Sequence, residues 1–79
     1  MSYFRSFIKI DDEEVIFSFT GVITPAGTKY FVGAYKNQQN LAFFDITPNK
    51  NGKLVIVPPV ADWILKIQDQ LFDIIREHS

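Results

Sequence analysis

Four consecutive carboxylates, Asp11, Asp12, Glu13 and Glu14, form the densest group of oxygen donors in the chain. Such groups can ligate calcium or magnesium. The run lacks the spaced acidic pattern and the glycine of a calcium loop, so it reads as a solvated acidic turn. The single histidine, His78, stands one residue from the end, where it cannot hold a serine or threonine in an activating geometry. There is no cysteine, which removes disulfides and thiolate metal sites. The four glycines, Gly21, Gly27, Gly33 and Gly52, are scattered and build no phosphate loop. No acid is marked as half of a glycosidase pair. With no base, nucleophile or metal set, the chain reads as a non-enzyme without a cofactor.

Aromatic and basic residues supply the other chemistry. Tyr30, Tyr35, Phe43 and Phe44 are interleaved with Lys29, Lys36, Lys50 and Lys53. Aromatic rings stack bases and lysines follow a phosphate backbone. The candidate nucleic-acid residues are therefore Lys29, Tyr30, Tyr35, Lys36, Lys50 and Lys53. The net charge of −1 excludes a strong nonspecific polyanion binder, and four lysines give little phosphate neutralisation, so such binding would be weak.

The elements that must position these residues fall into two parts. Residues 3–57 read as strands and about 59–77 as one helix, in a single domain spanning 1–79. Strands are expected at 3–10, 15–23, 28–35, 41–46 and 53–57. The acidic run 11–14, Thr24-Pro25-Ala26-Gly27, residues 36–40 and the Asn51-Gly52 pair separate them. Regular turn spacing favours an antiparallel meander. Pro58 and Pro59 cannot donate to a ladder and end the sheet, so the helix should begin near Pro59 or Val60. Gly21 and Gly33 lie within strands; as cross-strand neighbours they would let the Trp63 ring, or another ring, lie flat on the sheet.

Val60, Trp63, Ile64, Ile67, Leu71, Ile74 and Ile75 repeat at helical spacing and form an apolar stripe. Leu65 and Phe72, seven residues apart, lie on one line beside that stripe. They are either its half-buried shoulder or a second contact surface, and they are the candidate protein-interface residues. Phe43 and Phe44 are adjacent and must face opposite sides, so both sheet faces carry aromatics. One face should meet the helix; the other calls for curling, a second subunit or a ligand.

Antiparallel strands followed by a C-terminal helix with a tryptophan in its first turns resemble the whirly-type, transcriptional-coactivator single-stranded-DNA-binding domains. The likeness covers Val15 to Ile75 as element order, with Lys53–Trp63 (KLVIVPPVADW) at the strand-to-helix junction. It implies dimerisation through the helix and single-strand binding on the sheet. The chain departs in being acidic overall, in an extra N-terminal strand and in lacking a lysine-rich sheet.

The expected fold is α+β: an antiparallel, strongly twisted sheet of about five strands with one C-terminal amphipathic helix packed on it. The expected function is a small non-enzymatic protein-interaction domain that self-associates as a homodimer or binds another protein. Weak single-stranded nucleic-acid binding is the alternative. A chain this short has a thin stability margin, and self-association would add to it. The absence of cysteine suits a cytoplasmic protein. The N-terminus MSYFRSFIKI is interrupted by Arg5 and Lys9 and reads as no signal peptide, and no apolar run is long enough to span a membrane.

Overall fold

A computed structural model describes residues 2–78. Five strands, β1 (Ser2–Ile10), β2 (Glu13–Thr24), β3 (Gly27–Lys36), β4 (Gln39–Pro48) and β5 (Leu54–Ile56), precede two helices, α1 (Asp62–Lys66) and α2 (Gln68–His78). The strands form one antiparallel meander in the order β1-β2-β3-β4-β5. This is the expected α+β arrangement. Among the described residues no helix is long and apolar enough to cross a membrane.

The turns are tighter than the sequence suggests. Asp11 and Asp12 both have positive φ, as do Asn37 and Gln38. Short polar side chains tolerate that region, and two-residue hairpins of the I′ kind need it at both positions. Glu13 and Glu14 therefore belong to β2, opposite Ile10 and Lys9, rather than to an acidic turn of four. Glu13 is ion-paired with Lys36.

The β3–β4 register shifts between Ala34 and Tyr35: Ala34 faces Ala42 while Tyr35 faces Asn40, leaving Leu41 as the extra residue of a bulge. The Asn40 side-chain amide donates to the carbonyls of Ala34 and Ala42 at 3.3 and 3.1 Å, which satisfies backbone oxygens around it. Leu41 then borders the same depression as Ile10, Val15 and Trp63.

One core joins the sheet to the helices. Ile8, Val15, Phe17, Phe19, Val32, Phe44 and Ile46 cluster with Ile64, Ile67, Leu71, Phe72 and Ile75. Alternation fixes the buried sheet face as even positions of β1, odd positions of β2 and even positions of β3 and of β4 beyond the bulge.

The single helix expected over 59–77 is instead two. Residues 58–61 serve the crossing from sheet to helix layer, and α1 begins at Asp62 with Ala61 as its N-cap. At Ile67 the backbone leaves helical geometry and its N–H bonds back three residues to Ile64, a tightened turn. The break changes the phase of the stripe. Phe72 enters the core at 9% exposure, whereas Leu65 is 42% exposed. The two do not share one open surface, which corrects the helix-shoulder pair.

The two strand glycines do not form a bed for Trp63. They lie on opposite faces: Gly21 opposes Tyr30, and Gly33 opposes Ser18 and Phe43. The Tyr30 ring and the Ser2 and Thr28 side chains occupy the space above Gly21. Trp63 sits elsewhere, half-buried and tilted against Phe17 at 6.4 Å between centroids.

Candidate interaction face

The helices cover one face of the sheet; the other stays open. Cross-strand pairing arranges it in rows. Tyr3, Thr20, Phe31 and Asp45 form one, and Arg5, Ser18, Gly33 and Phe43 the next. Phe7, Ile16 and Tyr35 form a third. Four rings in these rows are strongly exposed: Phe43 at 72%, Phe7 at 64%, Tyr3 at 63% and Phe31 at 45%. Single exposed apolar residues are ordinary, but a contiguous set on one sheet face is the kind of patch that marks a contact surface.

Gly33 shapes the middle of this face. A Cβ there would come within 2.8 Å of the Tyr35 ring, which leans across the glycine. Tyr35 in turn meets Phe43 edge-on at 6.2 Å between centroids, a favourable aromatic geometry. Beside them lies an open depression of about 690 Å³, bordered by Tyr3, Phe31, Tyr35, Phe43 and the Pro58-Pro59 segment. Replacing Gly33→Ala should cost about 1 kcal/mol by pushing the ring aside, a modest overpacking effect. Urea unfolding checks this, and Gly33→Ala should become nearly neutral in a Tyr35→Ala background. A full cost in that background would contradict the packing role.

The face is close to charge balance. Arg5, Lys9 and Lys29 share it with Glu14 and Asp45, Lys9 lying opposite Glu14. The Lys29 ammonium is 3.3 Å from an Asp45 carboxylate oxygen and 5.0 Å from the Phe31 ring centroid. Both partners of that pair are partly solvated, so the pair chiefly positions the lysine.

The six candidate nucleic-acid residues are not brought together. Lys29 and Tyr35 lie on the open face. Tyr30 is in the core at 6% exposure, on the opposite face, with its ring edge-on to Phe4 at 6.2 Å. Lys36 is held by Glu13 at one end of the sheet. Lys50 and Lys53 stand at the other, where Asn49 Oδ1 accepts from the backbone N–H groups of Asn51 and Lys53. Sequence reasoning passed over Tyr3, Arg5 and Phe7. Their signal was parity: Arg5 and Lys9 alternate in step with Tyr3 and Phe7, which marks that side of β1 as solvent-facing.

Among the described residues no three His, Cys, Asp or Glu side chains are grouped to hold a metal ion. A scan against protein-family models gives no match, and searches of curated proteins and of solved structures give no significant similarity.

Proposed function

We propose that the protein is a small non-enzymatic interaction domain that works as a homodimer and meets a protein partner on its open sheet face. The observation that carries this reading is the contiguous exposure of Tyr3, Phe7, Phe31 and Phe43 on a face that, among the described residues, no other element covers. A sheet is stable when both faces find a layer or water-tolerant side chains, and these rings are not water-tolerant. The reading treats the helix pair as an amphipathic cover on one face of a strongly twisted sheet, leaving the aromatic face as the working surface. The homodimer draws support from size, since a 79-residue chain without disulfides gains from a second copy. A chain without cysteine suits the cytoplasm, where we place the activity.

Single-stranded nucleic acid is the runner-up occupant of the same face, favoured by Lys29 and Arg5 beside exposed rings. It draws less support because Lys29 is already paired with Asp45 and the face carries nearly as many acids as bases. An apolar fluorescent dye tests the working surface. Phe31→Ser with Phe43→Ser should lower dye binding severalfold with an unchanged melting profile; unchanged dye binding would reject the face. Anisotropy of a labelled mixed-sequence single strand separates the two occupants. No binding at 100 µM, a concentration of about the non-specific range, supports the protein partner. Saturable binding that weakens with salt would replace it with nucleic acid.

A further inference from the structure

The sheet ends on one side at β1, a strand of nine residues without proline. Among the described residues its outer N–H and C=O groups face no further strand. Proteins usually blunt such an edge by making it short, bulged or charged. The opposite edge is blunted in two of these ways: β5 has only three residues, and β4 carries the bulge at Leu41. On β1 the only charges are Arg5 and Lys9.

We propose that this edge pairs antiparallel with β1 of a second copy, forming the homodimer on which the functional reading rests. A two-fold antiparallel pair has a narrow choice of register. Residue i must oppose j while j opposes i, and opposed residues share a sheet face. The axis therefore falls at a residue. Centred on Ser6, the register pairs the whole strand. Phe4 opposes Ile8 and Ser2 opposes Ile10 on the helix side. On the open side Arg5 opposes Phe7 and Lys9 opposes Tyr3, each cation against a ring of the other copy. Centring on Arg5 would oppose Arg5 to its own copy, and centring on Phe7 would oppose Arg5 to Lys9. Like charges directly opposite destabilise a sheet, whereas cation–aromatic contacts are attractive. Centring on Phe4 or Ile8 avoids like charges but pairs only five residues of each strand, so charge and paired length together select one register of the edge with itself. In that register the open faces of both copies join into one continuous aromatic surface, with Tyr3 and Phe7 near its centre.

The chain has no native cysteine, so single-cysteine variants report the contact directly. A short bis-maleimide should link most of the Ser6→Cys protein into dimers, because the two positions lie side by side across the axis. The Phe43→Cys protein should stay unlinked. Phe7→Lys should raise the dimer dissociation constant about tenfold, by placing like charges opposite twice, and adding Arg5→Glu should restore it. A doubled wild-type mass with no linking of Ser6→Cys would overturn the edge contact alone. Linking of Phe43→Cys instead would show that the open faces meet. A wild-type monomer at hundreds of micromolar would remove the homodimer reading and this contact with it.

Discussion

Phe19→Ala should remove about 3–5 kcal/mol of stability, a large share of what the domain holds. Phe19 is fully buried, and its ring stacks on Phe4 with centroids 4.8 Å apart. Truncating a buried phenylalanine costs about 3–5 kcal/mol, from lost transfer energy and from the cavity left behind. The whole domain is expected to hold only roughly 4–12 kcal/mol, from typical values per residue. In a small core the neighbours have little freedom to collapse into the gap, because Val32, directly opposite on β3, is itself almost fully buried. Circular dichroism under urea reads the result. A midpoint shift worth under about 1 kcal/mol would mean that the sheet and helices do not share the core described.

Phe72→Asp and Leu65→Asp should behave oppositely, although sequence spacing treats the two positions as equivalent. Phe72 belongs to the buried cluster shared by the sheet and the helices, so an aspartate there removes the ring and places a carboxylate among apolar groups. The expected cost is at least about 3 kcal/mol, seen as a strongly lowered melting midpoint. Leu65→Asp changes an exposed side chain and should shift stability by no more than about 1 kcal/mol. A Phe72→Asp protein as stable as Leu65→Asp would show that the break at Ile67 does not carry Phe72 into the core. Thermal melts of the two variants side by side decide it.

The contrast between these positions shows what the sequence carried and what it did not. The meander was legible because each strand alternates and each turn is punctuated by residues that tolerate positive φ or resist pairing. The strand-to-helix switch was legible at Pro58-Pro59. The faces were not, because several strands alternate apolar residues on both sides. Phe43 and Phe44 are identical in type, yet one is 72% and the other 6% exposed. Only register decides between them, and register depends on a bulge at Leu41 that no local signal announces. The helix break at Ile67 was equally silent. Val60 through Ile75 fits one continuous period, and a single tightened turn shifts the phase enough to exchange Leu65 for Phe72. The candidate site suffered from the same ambiguity. Tyr30 looked like a member of a basic aromatic surface, but its parity puts it with Val32 and Ala34 under the helices. Tyr3, Arg5 and Phe7 belong to the open face through their pairing with Thr20, Ser18 and Ile16, long-range contacts that strand propensity does not contain.

Both surfaces at the centre of this account follow from a sheet covered on one side only. Among the described residues the aromatic face lacks a layer, and β1 lacks a strand on its outer side. A second copy at β1 would leave the aromatic face free and enlarge it, which is why the oligomeric state governs the rest. The most direct measurement is light scattering of the purified wild-type chain across a dilution series from hundreds to a few micromolar. A homodimer should give a mass of twice 9.1 kDa at the upper end, falling toward 9.1 kDa on dilution. A mass of 9.1 kDa at every concentration would contradict it.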